Sequence, residues 1–375
     1  MTPCVVFAGG GSGGHLSPGL AIAERLQALD PTIRTRFYCS DREIDRTMLA
    51  GAKADFQSVP AAPLSLRPPG FIRFIRGLRQ GTRSAAAGLR ADEASLVLAL
   101  GGFVSAPVIR AARKTRVSSM LLNLDAVPGR ANQWVARHCD EVFTALPLQP
   151  GVVLPNLSGS THFPIRRIAR ASGDAAVCRK GLGMSPDRPT LLVTGASQGA
   201  STLNEFMCAF ARAKSACLNG WQILHLSGTR DKDALERAYA SAGVQATVIQ
   251  FLESMGLAWG AADLAISRAG ANSVAEIAAN GVPAIFVPYP WHKDLHQRFN
   301  AQGLVDSGAA CLGEDAMDPA ANLDALGPLL ERLLVDDAAR HGMQRAFEQV
   351  SKTDGASEIA ALIHARVLGG DRPTS

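Results

Sequence analysis

A run of six residues, Gly9-Gly10-Gly11-Ser12-Gly13-Gly14, leads directly into His15 and then Leu16-Ser17-Pro18. Glycines at this density let the backbone turn tightly and bring its N–H groups close to a ligand. A helix that starts behind them adds a positive dipole end, so the pattern suits a phosphate or diphosphate. His15 adds a group that titrates near neutral pH and could move a proton at the mouth of that loop. A histidine making one structural hydrogen bond at the helix start fits the position as well.

A second group of polar residues stands at Ala271-Asn272-Ser273-Val274-Ala275-Glu276. Main-chain amides of Ala271, Asn272 and Ser273 could meet a phosphate, with Glu276 accepting two hydrogen bonds from a ribose diol. The same letters also spell the S-x-x-E capping box, in which Glu276 would reach back to a backbone N–H and bind no ligand. Further on, His292-Lys-Asp-Leu-His296-Gln297 follows the apolar run from Pro283 to Pro288, where a strand end presents polar groups toward a ligand crevice. No third ligand accompanies His292 and His296, so no metal site is expected.

These residues need strands and helices to hold them. Cys4 to Ala8 reads as a buried strand, with Ser17 as N-cap and Pro18 as first residue of the helix that follows. A second strand is expected over Arg34 to Cys39. Apolar strands before glycine turns recur at Leu96–Leu100, Thr190–Thr194 and Leu264–Ser267, which predicts parallel α/β sheets in two Rossmann-like domains. At 375 residues the chain is long enough for two domains of about 150 residues. Prolines 147, 150, 155 and 164 mark the stretch between them as a linker, dividing the chain into 1–160, 161–350 and a terminal segment 351–375. That last segment is expected to hold a helix over Ala356 to Val367 and a frayed end from Gly369.

Composition narrows the class further. Hydrophobic residues make up 47% and charged residues 19%, which excludes disorder along the whole chain. A net charge of +5 does not call for nucleic acid. The seven cysteines form no C-x-x-C pair, so reduced thiols in a cytosolic setting are expected. The N-terminus lacks the charged start and length of a secretory signal, and the apolar stretch Leu96–Ile109 is too short to cross a bilayer. One segment is basic and amphipathic: Phe71, Ile72, Phe74, Ile75 and Leu78 interleave with Arg73, Arg76 and Arg79, and no acid occurs between Pro68 and Asp92. Such a segment can lie on an anionic membrane surface, although a solvated helix packed on the first domain has the same pattern.

Gly9-x-Gly11-x-x-Gly14 also satisfies the dinucleotide fingerprint, with Asp41 placed 27 residues after Gly14 as the ribose acid. A nicotinamide enzyme is therefore one alternative. Taken together, however, three loops resemble the MurG family of N-acetylglucosaminyltransferases, glycosyltransferase family 28. They are Phe7-Ala-Gly-Gly-Gly-Ser-Gly-Gly-His15-Leu-Ser-Pro18, Gly101-Gly-Phe-Val-Ser-Ala-Pro107 and Gly195-Ala-Ser-Gln-Gly-Ala200. The run from Ser267 to Glu276 and on to Asp294-Leu-His-Gln-Arg-Phe-Asn-Ala301 is similar to that family's donor site.

The resemblance implies a GT-B fold, two Rossmann-like domains facing across a cleft. It implies inverting transfer of N-acetylglucosamine from UDP-GlcNAc to a lipid-linked muramyl-pentapeptide acceptor, on the cytoplasmic face of the inner membrane. By it, Ser12, Gly13, Gly14, Arg166 and Ser197, with Gln198 beside it, line the diphosphate and sugar end of the donor. Leu252 meets the uracil, Asn272 and Ser273 the α-phosphate, Glu276 the ribose, and His296 and Gln297 the donor sugar. His15 is the candidate general base, and no resident cofactor is implied, because the UDP-sugar is a substrate. One position departs: the family commonly reads His-Glu-Gln-Asn where this chain has Leu122-Asn-Leu-Asp125. Asp125 stands where an asparagine touches the donor sugar, and a carboxylate cannot donate as an amide does. The acceptor-side surface near Leu122 is expected to differ too. A related transferase with another lipid or small acceptor, and a non-catalytic nucleotide-sugar binder, remain as alternative readings.

Overall fold

The computed structural model describes the chain except residues 1, 12, 66, 196–198, 292–294, 351–352 and 370–375. It divides into two compact units, one comprising Met1–Arg166 with Thr353–Ser375 and the other Arg167–Lys352. The chain thus leaves the first unit after Arg166, and its terminal segment belongs to that unit.

The first unit holds a seven-stranded parallel sheet: β1 (Cys4–Ala8), β2 (Arg34–Cys39), β3 (Phe56–Ser58), β4 (Ala94–Ala99), β5 (Ser118–Asn123), β6 (Glu141–Thr144) and β7 (Leu157–Ser160). Their spatial order is β3-β2-β1-β4-β5-β6-β7. Helices α1 (Leu16–Leu29), α2 (Glu43–Gly51), α3 (Pro68–Ala91), α4 (Ser105–Thr115) and α5 (Arg130–Ala136) connect the strands. Every residue of β1 is buried, as expected of a central parallel strand covered on both faces. Phe7 and Phe37 stack at 4.9 Å between ring centroids, and full burial of such a side chain contributes about 1.5–3 kcal/mol.

Two expectations change here. The first helix begins at Leu16 with His15 at its N-cap, so Ser17 and Pro18 lie inside the first turn. Backbone bonds from Leu16 N and Ser17 N to the Gly13 carbonyl close that turn early. The proline-bearing stretch is not only a linker, because β7 within it pairs with β6 in parallel. Asn156, at φ +57°, precedes that strand and donates from its side chain to the carbonyls of Ala136 and Cys139, tying the stretch to the end of α5.

The second unit repeats the plan with six parallel strands: β8 (Thr190–Thr194), β9 (Gln222–Leu226), β10 (Ala246–Ile249), β11 (Leu264–Ser267), β12 (Ala284–Phe286) and β13 (Ala310–Leu312). They are ordered β10-β9-β8-β11-β12-β13. Its helices are α6 (Ala175–Gly181), α7 (Ser201–Ala213), α8 (Lys232–Ser241), α9 (Met255–Ala261), α10 (Ala271–Asn280), α11 (His296–Asp306), α12 (Pro319–Val335) and α13 (Asp337–Ala346). Phe206, Phe210, Ile266 and Leu330 belong to the core on one side of this sheet, and Trp259, Ile277 and Phe286 to the core on the other. The last helix, α14 (Gly355–Leu368), packs on α1 in the first unit. Arg25 on α1 pairs with Asp354 at 2.6 Å, and Glu358 on α14 accepts from the His162 N–H at 2.8 Å. Of the end expected to fray from Gly369, Gly369 itself closes α14 by donating its N–H to the Ala365 carbonyl, and residues 370–375 lie outside the described residues. No helix among the described residues is long and apolar enough to cross a membrane.

Candidate active site

Both sheets reverse their strand order once, between β1 and β4 in the first unit and between β8 and β11 in the second. At such a reversal the loops leaving the two strands diverge to opposite faces and open a crevice at the carboxyl edge, where α/β proteins bind ligands. The first glycine loop follows β1 and Gly101-Gly102 follows β4. The second unit places Gly195 after β8 and Arg268-Ala269-Gly270 after β11. The motifs found in the sequence therefore stand at the switch points of their own sheets.

In the first unit His15 is half-buried and lies against the Gly101-Gly102 turn. A Cβ on Gly101 would sit 2.9 Å from His15 Cδ2 and 3.1 Å from Nε2, and one on Gly102 would strike the Gly10 carbonyl. Both glycines hold positive φ, +108° and +78°, so only glycine gives this close approach without strain. The Ser105 hydroxyl fixes the turn, accepting from Gly101 N and sharing its one proton between the carbonyls of Ala8 at 3.0 Å and Gly101 at 2.8 Å. Burial pushes the His15 pKa below its ordinary value of 6.5, while the negative charges of Asp125 and Asp45 pull it part of the way back. The imidazole is thus neutral at pH 7, the form that accepts a proton.

Asp45, which no sequence motif marks, organises this loop. Its fully buried carboxylate accepts from Gly11 N at 2.7 Å, Ser40 Oγ at 2.5 Å and Ser40 N at 3.2 Å. Arg42 donates from Nη1 to the Gly11 carbonyl at 2.5 Å and lies over the Phe103 ring. A signal was available, since Asp45 and Leu49 share the buried face of α2 at i,i+4 spacing. Leu122 also reads differently in three dimensions. It is fully buried in β5, so its side chain packs inside the first unit.

Asp125 follows the end of β5. Its carbonyl accepts from Asn123 Nδ2 at 2.7 Å, and Asn123 Oδ1 accepts from Asn132 Nδ2 at 3.0 Å. Arg166 is in the same unit and donates from Nε to Glu24 on α1 at 3.0 Å. Gly13 is buried under Met48, and Gly14 is exposed beside it. Ser12, Ser197 and Gln198 lie outside the described residues.

In the second unit α10 starts at Ala271 with Gly270 as its N-cap. Ala271, Asn272 and Ser273 are therefore the first three helical residues, whose N–H groups have no carbonyl one turn back to bond. Gly270 offers no side chain to cap them. The capping box is overturned by this register, because Ser273 lies inside the helix and Glu276 is six residues beyond the N-cap. Glu276 instead accepts through Oε2 from the indole Nε1 of buried Trp259 at 2.8 Å, which fixes the carboxylate's orientation. The Asn280 side chain ties the far end of α10 to the carbonyls of Glu276 and Ala169 and to Ala171 N.

Leu252 is half-buried against the core that contains Trp259 and Ile277. His296 and Gln297 open α11, and Gln297 Oε1 accepts from Tyr289 N at 2.8 Å. Arg268 knits these loops together. It donates to the carbonyls of Val287 and Pro288, to Thr202 at the start of α7, and to Asp315 at 2.8 Å. Burial opposes the charge on Asp315, but bonds from Thr202, Asn322, Met317 N and Arg268 outweigh it and hold the carboxyl below its usual range. Sequence reasoning missed this pair. Its trace was one arginine directly behind a buried strand, which needs an anionic partner.

The residues predicted separately thus form two groups, His15 with Asp125 in the first unit and α10 with the start of α11 in the second. The glycosyltransferase family 28 N-terminal domain matches residues 5–144 and the C-terminal domain of that family matches residues 190–359. A relative from Nocardioides, named UDP-N-acetylglucosamine--N-acetylmuramyl-(pentapeptide) pyrophosphoryl-undecaprenol N-acetylglucosamine transferase, is 36% identical over 83% of this chain and 85% of its own. The chain belongs to glycosyltransferase family 28. Another family 28 relative with the same name, from Streptomyces avermitilis, is 31% identical over 98% of this chain and 99% of its own. Among solved structures, Acinetobacter baumannii MurG matches with a TM-score of 0.72 at 25% identity, covering 96% of this chain and 99% of that one. A UDP-glucosyltransferase from Polygonum tinctorium shares the fold, with a TM-score of 0.66 at 17% identity over 99% and 100% of the two chains. The two-domain GT-B architecture expected from the glycine loops is the family 28 architecture.

If Glu276 holds a ribose diol, Glu276→Ala removes two hydrogen bonds to a charged acceptor and weakens UDP binding about tenfold to a hundredfold by calorimetry. An unchanged UDP affinity with a lowered melting temperature would assign Glu276 to the Trp259 contact alone.

Proposed function

We propose that this chain transfers N-acetylglucosamine from UDP-GlcNAc to a lipid-linked muramyl pentapeptide, with inversion at the anomeric carbon. The observation that carries the reading is the presence of two different switch points in one chain: an imidazole kept neutral in the first unit, and a helix start entered through Gly270 with a braced carboxylate in the second. A proton acceptor and an anion site are the two functions that sugar transfer from a nucleotide diphosphate requires. The names of the relatives, which span nearly the whole chain, support the same donor and acceptor.

On this reading the second unit holds UDP. The first-turn amides of α10 and its dipole meet the diphosphate and stabilise the charge that grows there as the glycosidic bond breaks. Glu276 takes the ribose hydroxyls, and His296 and Gln297 face the sugar. The acceptor hydroxyl forms the new bond to C1 and gives its proton to His15. UDP leaves with the electron pair of the broken C1–O bond. No resident cofactor takes part in this scheme, the nucleotide sugar being a substrate.

The membrane side of the proposal rests on α3. Its second half is packed, with Gly81, Thr82, Ala85, Ala86 and Leu89 buried. Its first half exposes Phe71 and Ile72 beside Arg73, Arg76 and Arg79, while Phe74, Ile75 and Leu78 are half-buried. The helix has no acidic residue in its first turn, and none follows before Asp92. A surface of apolar tips ringed by guanidinium groups suits the anionic cytoplasmic leaflet of the plasma membrane, where the lipid-linked acceptor would be met.

His15→Ala should lower kcat with the lipid-linked acceptor about 100- to 10,000-fold while leaving UDP affinity near that of the wild type. Because the lowered pKa keeps His15 neutral at pH 7, wild-type kcat/KM should fall only as pH drops below 6.5. That limb should vanish in the variant. Unchanged turnover would remove His15 from the mechanism.

Replacing Arg73, Arg76 and Arg79 together with serine should remove about 1 kcal/mol each of attraction to an anionic surface. Sedimentation with phosphatidylglycerol vesicles should then weaken by about a hundredfold at low salt and by less at high salt. Equal binding of both proteins would make α3 a packed surface helix only.

A further inference from the structure

His225 stands in β9, fully buried, and takes no part in the transfer scheme. Burial pushes its pKa down to about 3, so the ring is neutral at pH 7. A neutral imidazole carries one N–H donor and one acceptor, and both nitrogens have partners here. Nδ1 lies 2.7 Å from the Tyr239 hydroxyl on α8, and Nε2 lies 3.0 Å from Asn204 Oδ1 on α7. The Asn204 amide in turn donates from Nδ2 to the Ser227 carbonyl at 3.0 Å and to Asp231 Oδ2 at 3.2 Å.

The direction of this chain of bonds is fixed from its loop end. A backbone carbonyl only accepts, and so does a carboxylate, so Asn204 must turn Nδ2 toward Ser227 and Asp231. Its Oδ1 then faces His225 and needs a donor, which places the imidazole proton on Nε2. Nδ1 is left to accept from the Tyr239 O–H, and burial raises that phenol well above its ordinary pKa, so it keeps the proton it donates. The donors therefore all point one way, from α8 through β9 and α7 to the loop after β9. A reversed chain would set Asn204 Oδ1 against two acceptors.

That loop meets the glycine turn after β8. Gly199 holds φ +73°, and a Cβ there would lie 2.5 Å from the Ser227 carbonyl oxygen and 3.0 Å from Gly228 Cα, so the two loops touch backbone to backbone. Asn204 lies one turn into α7, whose N-cap is Ala200, and ties that turn to the β9 loop. Thr202 in the same turn accepts from Arg268, which follows β11, at 2.7 Å and donates to Asp315 at 2.6 Å. β9 and β11 flank β8, so the entry to α7 is gripped from both sides at the switch point of the second sheet.

We propose that Asn204, His225 and Tyr239 are positioning residues for the nucleotide-sugar donor: the buried imidazole dictates which way the Asn204 amide faces, and that amide sets the glycine turn and the first turn of α7 in the shape that receives UDP. No proton is transferred along the chain. This rests on the second unit holding UDP, and it adds to that unit a set of residues that never touch the ligand.

The test uses the full-length protein. Long-range proton–nitrogen NMR of the imidazoles, with the His225 signals assigned by their loss in His225→Gln, shows which ring nitrogen carries the proton. It should be Nε2, and the ring should stay neutral down to about pH 5. Asn204→Asp keeps the size of the side chain and the acceptor for His225 but puts an oxygen where Nδ2 donates, so UDP affinity by calorimetry should fall about tenfold. KM for UDP-GlcNAc should rise with it, while kcat and KM for the lipid-linked acceptor stay within about twofold. Asn204→Ala, which removes the bond to Ser227 without adding a charge, should show the same loss and serves where the aspartate variant is poorly folded. His225→Gln, whose amide can donate to Asn204 and accept from Tyr239 in the same direction, should keep UDP affinity within about twofold of the wild type.

A proton on Nδ1 in the wild-type protein would overturn the proposal. So would a lowered melting temperature with unchanged UDP affinity in both Asn204 variants, the mark of a purely structural network, or a His225→Gln protein that binds UDP as weakly as they do. A failure of the underlying reading shows separately, as wild-type protein that does not bind UDP.

Discussion

A parallel sheet whose strand order reverses has one place where consecutive loops part to opposite faces, and the chemistry of this protein depends on that constraint being met twice. Between β1 and β4, and again between β8 and β11, the carboxyl edge opens beside a helix N-terminus. The apolar runs of β1, β8 and β11 are buried throughout, so hydrophobic burial fixes where these edges lie. Polar groups then fix the loops above them. Asp45 gathers the first glycine loop, and Arg268 with Asp315 gathers the loops after β8, β11, β12 and β13. A buried charge alone is unfavourable by several kcal/mol, so each is tolerated only because its bonds are made.

The two crevices answer different electrostatic demands. In the first, burial lowers the His15 pKa while the charges of Asp125 and Asp45 limit the fall, which suits the proposed proton acceptor. In the second, α10 presents the positive end of its dipole behind Gly270, which brings no side chain to the first turn, and this suits the proposed diphosphate site. Trp259 bonds Glu276 on that helix through its indole N–H, so a core residue sets the direction of this carboxylate.

Much of this was legible where a local pattern carries the information. Strands β1, β8 and β11 have the bounds that their apolar runs suggest, and the glycine turns mark the carboxyl edges. What failed was decided by distant partners. Ser273 and Glu276 spell a capping box, but helix register is set by Gly270 and by Trp259 seventeen residues earlier in the chain. β7 was hidden among prolines because pairing with β6 outweighs its weak local preference. Asp315 could not be found from its own neighbourhood, since Arg268 and Thr202 reach it across separations of 47 and 113 residues. Leu122 looked like surface only by analogy, and its strand buries it.

The central claim is that the diphosphate of UDP is received by the first turn of α10. Amide hydrogen exchange over residues 268–280, followed with and without saturating UDP, tests it most directly. The account predicts that UDP slows exchange at Ala271, Asn272 and Ser273 more than at the end of the same helix. UDP binding that leaves those three amides exchanging at their original rates would contradict it.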